Sequence, residues 1–290
     1  MILGEIIMHH NFIGLFIALI FISQVSVQAA PYQLDERPKA SICKFLHYLG
    51  DKFTITGRKL YHTAYLMEHY KLSKCSNLNI ILSDDDFQSD LMIDYLEYFR
   101  DDLKVYFDTD AGVSEGYTIE EHSIMVYDIL LDQIPYYDLN RISHQQNIDF
   151  EKLFKVLIAV HDIGKGLAIE AGDKRLQHHY TLPIVERVLT ELGYNESEIA
   201  VAKALVGHDA LGQLLTRRIN VQKAYEIIVA MAQKAEIPLK DFFHLQTLYY
   251  TSDATSYPYV KNNFFHQSKS GKVVPNDTYQ LFRQLSNMFE

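Results

Sequence analysis

Along the second half of the chain, apolar positions recur with helical spacing, and no stretch alternates convincingly with a period of two. The spacing predicts a helix over Thr118–Leu131 and another over Phe150–Val160. The second is apolar nearly all round, the pattern of a helix buried on every side. In "TLPIVERVLTEL", Leu182, Val185, Val188, Leu189 and Leu192 form one stripe, with Pro183 suited to a first turn and Gly193 to a stop. "NESEIAVAKALVGHD" opens with Asn195 three residues before Glu198, the spacing of a capping box, and breaks at Gly207. A last core helix, "DFFHLQTLYYTSD", opens at Asp241 and ends near Asp253. The expected class is all-α.

The first half divides differently. Residues 31–112 read as a helical N-terminal region, with "SICKFLHYLG" ending at Gly50 and "RKLYHTAYLMEHYKL" at helical spacing. Ser83 followed by Asp84, Asp85 and Asp86 has the composition of a helix start, with a metal-binding acidic cluster as the alternative. "DTDAGVSEGYTI" reads as a linker, which places a boundary near 110–116, a helical domain over 115–260 and a C-terminal tail over 261–290. That tail is loop-rich and could cover a site. In residues 1–29, the apolar run from Phe12 to Ile22 is shorter than the roughly 20 residues of a membrane span. Val27-Gln28-Ala29 then suits signal-peptidase cleavage. A signal peptide implies an exported protein, periplasmic or secreted. The segment before the run has no Lys or Arg and carries Glu5, so a retained membrane anchor or an ordinary buried segment in a cytoplasmic protein stays open.

With 290 residues, 48% of them apolar and 22% charged, the chain can bury a full core and is not a disordered tail. Its 27 basic and 37 acidic residues give a net charge of −10, which opposes non-specific binding to nucleic acid or anionic membrane. A small phosphorylated ligand remains compatible if a metal or a lysine supplies local positive charge. Residues 31–112 could also engage a protein partner. Cys43 and Cys75 match no zinc spacing. They could pair, closing a loop of about 30 residues at a gain of roughly 3–4 kcal/mol, or remain buried thiols.

Candidate chemistry lies in the histidines. A single histidine usually satisfies its polar atoms locally, and His9, His10, His47, His62, His69, His144, His244 and His266 are read so. The others share a pattern. His122 falls within a helix, His161–Asp162 end a buried one, His179 opens one, His208 closes one and Asp253 ends another. Burying so many polar groups without partners would cost a few kcal/mol each, and more for an unpaired charge. A divalent cation satisfies them together. Nitrogen and oxygen donors suit Mn, Fe, Mg, Zn, Ni or Co, and the lack of cysteine ligands argues against a structural zinc site.

His122, His161–Asp162 and Asp253 resemble the H…HD…D signature of the HD-domain superfamily of metal-dependent phosphohydrolases, which are all-α helical bundles. "YTIEEHSIMVYDIL", "HDIGKG", "GDKRLQHHYTLPIVERVL", "ALVGHDALGQLLTRR" and "LYYTSDAT" look most like the HD domain of the uridylyltransferase/uridylyl-removing enzymes, over about residues 115–260. In that comparison His179, not His178, matches the histidine opening the third helix, and Asp209 replaces the second member of a histidine pair begun by His208. The resemblance implies a first metal site of His122, His161, Asp162 and Asp253, and a second ion held by His179 and His208 with Asp162 bridging. It implies hydrolysis of a phosphomonoester or phosphodiester, on a nucleotide or nucleotidyl group, by metal-activated hydroxide.

Lys165, in the HD-x-G-K position, would neutralise phosphoryl charge beside Asp162, or else is a solvated helix-end lysine. Gly164 and Gly166 would let the backbone approach the site. Arg217 and Arg218 are candidate substrate clamps, with a solvated pair as the alternative. Two other functions share this ligand set: an HD-type di-iron oxygenase, and an inactive metal-holding interaction module.

Overall fold

The computed structural model describes residues 78–82, 87, 89–112, 116–276 and 280–289. The stretch read as a signal peptide, Cys43 and Cys75, the two N-terminal stretches predicted to be helical and Ser83–Asp86 lie outside the described residues. Among the described residues, no helix is long and apolar enough to cross a membrane.

The architecture is all-α, as the periodicity predicts. Helices α1 (Leu78–Leu82), α2 (Ser89–Phe99) and α3 (Asp101–Phe107) lead to α4 (Ile119–Gln133), α5 (Leu139–Gln146) and α6 (Phe150–Val160). Next come α7 (Lys165–Glu170), α8 (Gln177–Glu191), α9 (Glu196–Val206) and α10 (Ala210–Leu215). The chain closes with α11 (Val221–Ala235), α12 (Leu239–Ser256), α13 (Pro258–Phe264), strands β1 (Phe265–Gln267) and β2 (Val273–Pro275), and α14 (Gln280–Ser286). One apolar core runs from Leu78 and Ile81 through Met92, Leu96 and Phe107 to Leu285 and Phe289.

The centre of this core is built by α4 lying along α12, with α6 packed across α4. Helix α6 has the boundaries that its sequence predicts, and every residue from Leu153 to Val160 is buried. Lys155 is tolerated there because its ammonium donates to Leu82 O at 2.9 Å, meets Glu151 at 2.9 Å and sits 4.8 Å from the Phe87 ring centroid. Helix α12 solves a different problem, since it is rich in polar side chains yet largely buried. Thr247, Thr251 and Thr255 each donate to the carbonyl four residues earlier at 2.7 Å, satisfying three hydroxyls within the helix itself. Asn195 with Glu198 forms the capping box that the spacing predicts for α9, and Thr118 with Glu121 forms another for α4.

Three elements differ from their sequence reading. Helix α8 begins at Gln177, because a 3₁₀ turn over Lys174–Leu176 runs directly into it, so Pro183 lies inside the helix rather than in its first turn. Its ring faces solvent, and the carbonyl of His179 loses the donor four residues on. Helix α12 continues past Asp253 to Ser256. The tail carries α13, α14 and an antiparallel hairpin in which Phe265 pairs with Pro275. Only Phe265 and Val273 of that hairpin are buried, too few positions to write an alternating pattern. Val273 N donates to Gln133 Oε1 at 2.6 Å, fixing the hairpin to the end of α4.

Gly164 sets the turn between α6 and α7. A Cβ there would lie 2.4 Å from Thr181 N and 2.6 Å from Tyr180 C, so its hydrogen admits the backbone of α8 rather than a ligand. Gly166 similarly faces Thr109. Gly164→Ala is expected to destabilise the protein by about 1–3 kcal/mol, read from denaturant unfolding, because backbone and not a flexible side chain must yield.

Candidate metal centre

The core helices bring four side chains to one point. The end of α6 supplies His161 and, one residue on, Asp162; the buried face of α4 supplies His122; the last turn of α12 supplies Asp253. His122, His161 and Asp162 are 0%, 1% and 4% exposed, whereas the Asp253 side chain keeps 30% of its surface and forms the open edge. His122 Nε2 lies 3.1 Å from Asp162 Oδ2 and 3.1 Å from Asp253 Oδ1; His161 Nε2 lies 3.6 Å from each of the same oxygens. One ligand atom from each of the four residues falls within 4.8 Å of all the others. Ligands bonded at about 2.1 Å to one ion stand about 3 Å apart as neighbours and about 4.2 Å apart as opposites, so this group could hold a metal ion.

Hydrogen bonding points both imidazoles inward. His161 Nδ1 lies 2.8 Å from Ile158 O, which accepts its proton and leaves Nε2 facing the centre. Ser256 Oγ donates to Asp253 O at 2.6 Å and lies 3.5 Å from His122 Nδ1, so His122 also turns Nε2 inward. Such anchoring of the outer ring nitrogen is what orients ligand histidines. His161 Nε2 and Asp253 Oδ1 are buried with no hydrogen-bond partner among the described residues. Around His122 Nε2, Asp162, Asp253 and the Tyr257 hydroxyl, at 3.1 Å, compete for one proton. A cation answers both the orphaned nitrogen and the surplus of acceptors.

The electrostatics agree. Burial disfavours the His122 imidazolium, but the close carboxylates of Asp162 and Asp253 outweigh it and push the pKa up to about 9. Burial also works against the two carboxylates. Lys165, His161 and His122 nevertheless hold Asp162 well below the usual carboxylate range, and the close imidazoles of His122 and His161 do the same for Asp253. Lys165 is buried rather than solvated, 6% exposed, with Nζ 2.5 Å from Asp162 Oδ2; against the effect of burial, that carboxylate raises its pKa.

The second set of sequence candidates divides. His179 is exposed, edge-on to Tyr180, and lines a surface cavity with Tyr106, Leu167, Pro183 and Arg187, away from the four-residue group. Its neighbour His178 takes the inward position. Burial lowers the His178 pKa, the charges of Asp162 and Asp253 act on it, and its Nδ1 is buried with no hydrogen-bond partner among the described residues. Successive helix residues point about 100° apart, so only one of the doublet can face the centre. His208 lies on the His178 side, part-buried, with Nδ1 in the same condition. Asp209 caps α10 by accepting from Gly212 N at 2.9 Å. Solvent reaches it, yet surrounding protein and the charges of Asp253 and Asp162 push its pKa up to about 6, as at the rim of a concave site. Arg217 is exposed in the left-handed conformation, φ 58°, just past α10, and exposed Arg218 acts on Asp209 through its charge.

Several residues around the centre were not singled out by sequence. Gln177 Nε2 donates to Asp162 Oδ1 at 3.4 Å, and Lys174 is close enough to Lys165 for the two charges to interact. Tyr249 stands edge-on to His161, its hydroxyl pKa raised well above 10 by burial and by Asp253 and Asp162. Tyr257 stacks on His122 with ring centroids 4.8 Å apart. The only textual signals were the His-His doublet and a tyrosine four residues after Asp253 and just before a proline. Comparison with protein-family models, with curated proteins and with solved structures found no match.

Because an ion must displace the His122 proton, metal affinity is expected to rise steadily from pH 6.5 to about 9, with proton release on binding, as measured by calorimetry in two buffers. The metal-stripped protein is expected to behave oppositely. His122 gains protons on folding, so its contribution to stability is complete below pH 6.5 and is lost as pH rises through about 9. Thermal unfolding of stripped protein across that range checks the direction.

Proposed function

We propose that the chain is a metal-dependent phosphohydrolase of the HD type, acting on a phosphomonoester or phosphodiester, with a nucleotide or nucleotidyl group as the substrate class. The observation that carries the reading is the buried group of His122, His161, Asp162 and Asp253, with the Lys165 ammonium 2.5 Å from Asp162. These four residues would hold a divalent cation, which when bound supplies Lewis acidity and lowers the pKa of water towards neutrality. The number of ions and their identity belong to the same proposal, with His178 rather than His179 beside His208 as the histidines available near the first site.

The chain's own residues support phosphoryl chemistry. Lys165 keeps Asp162 ionised and places a positive charge where a phosphoryl group would gain negative charge, in a water-poor setting that strengthens the interaction. Gln177 fixes the second Asp162 oxygen, so the carboxylate has one settled orientation. Asp253 opens the group to solvent on one side, which gives a small substrate access. The overall acidity of the chain makes this local lysine, with Lys174 behind it, the source of attraction for a phosphate.

Metal content of purified protein, followed by assay of wild type and variants against nucleotides, cyclic nucleotides and generic phosphoesters, tests the proposal. Asp162→Ala is expected to abolish metal-dependent phosphate release. Lys165→Ala is expected to keep the metal and lose about 10²–10³-fold in kcat. Turnover unchanged in Asp162→Ala, or metal-dependent dioxygen uptake in place of phosphate release, would overturn it.

A further inference from the structure

Tyr257 occupies a place that the four-residue group does not explain. Helix α12 ends at Ser256, and Tyr257 has left the helical conformation, with φ −86° and ψ 117°. The proline that follows disfavours helical backbone at this position and itself opens α13. The break returns the side chain over the centre. Its ring lies on the His122 imidazole at 4.8 Å and 22°, and its hydroxyl is 3.1 Å from His122 Nε2. That contact is a hydrogen bond only while Nε2 is not given to an ion. Once Nε2 is a ligand, 3.1 Å is the separation of two neighbouring ligands on one centre with bonds of about 2.1 Å.

We propose that Tyr257 contributes its phenol oxygen as a further ligand to the cation held by His122, His161, Asp162 and Asp253. The proposal rests on reading those four residues as a cation cage. The donor set becomes two imidazole nitrogens, two carboxylate oxygens and one phenolate oxygen, with the phenol proton passing to water as the oxygen binds. Three anionic oxygen ligands balance a triply charged ion, and hard oxygen donors suit a hard cation, so the set accepts ferric iron alongside the divalent ions of the proposed reaction. Stacking on His122 holds the ring in place, so little freedom is lost when the oxygen coordinates.

The test loads chelator-stripped full chain with ferric citrate, or with a zinc salt in a parallel sample, and records metal content and visible absorption. A phenolate bound to ferric iron gives an intense visible charge-transfer band that imidazole and carboxylate ligands do not. Wild type is expected to take up iron and show the band. Tyr257→Phe, which keeps the stacked ring, is expected to bind iron about tenfold more weakly and without the band. His161→Ala is expected to bind no iron. Circular dichroism of each stripped variant establishes that it is folded. Wild type that holds iron without the band, a Tyr257→Phe variant that retains it, or a chain that takes up zinc but no iron would overturn the proposal while leaving the cage intact. Failure of wild type to take up either metal would remove the cage and the proposal together.

Discussion

Two buried carboxylates aimed at one point are the constraint on which the rest of this structure depends. Asp162 and Asp253 each lie 3.1 Å from the same imidazole nitrogen. Like charges so close, in surroundings of low polarity, are tolerated only when positive charge is supplied within the same few ångströms. The chain supplies part of it through His122 and Lys165, and both hold elevated proton affinities for that reason. The remainder of the site, including an imidazole nitrogen with nothing to bond, is left in a form that a cation would complete.

Holding that arrangement is the work of the core. Helix α6 is buried from Leu153 to Val160, which carries His161 and Asp162 to the interior. Helix α12 must be long and central to bring Asp253 opposite, and it pays for its polar residues with a ladder of threonine hydroxyls turned back on its own carbonyls. The glycine after the His-Asp pair brings α7 and α8 together at backbone distance, which seats Lys165 and Gln177 on Asp162. The packing therefore fixes the electrostatics: Asp162 is held by Lys165 and Gln177, and His161 by the Ile158 carbonyl.

The site is enclosed without being sealed. Asp253 retains solvent contact, and surrounding protein raises the Asp209 pKa, with the charges of Asp253 and Asp162 adding to the effect. His178, His208 and Lys174 lie near this edge, close enough for their charges to act on one another or on Asp162. Burial falls from His122 and His161 in the interior to Asp253 at the edge.

The helical class, the limits of α6, the capping box of α9 and the residues of the four-membered group were legible in the sequence, because each depends on periodicity, on short-range hydrogen bonding or on residue types whose burial demands a partner. Which of His178 and His179 faces inward was not legible. The choice depends on where α8 begins, and a 3₁₀ turn capped by Asp173 started it earlier than its apolar stripe indicated. The role of Tyr257 was equally hidden, since its importance arises from stacking on a residue 135 positions away. The hairpin, with one buried residue per strand, had no periodicity to read. Local chemistry determined the elements and nominated the ligands; only tertiary packing decided which side chains meet, because orientation about a helix axis changes by about 100° per residue and is set by contacts between distant segments.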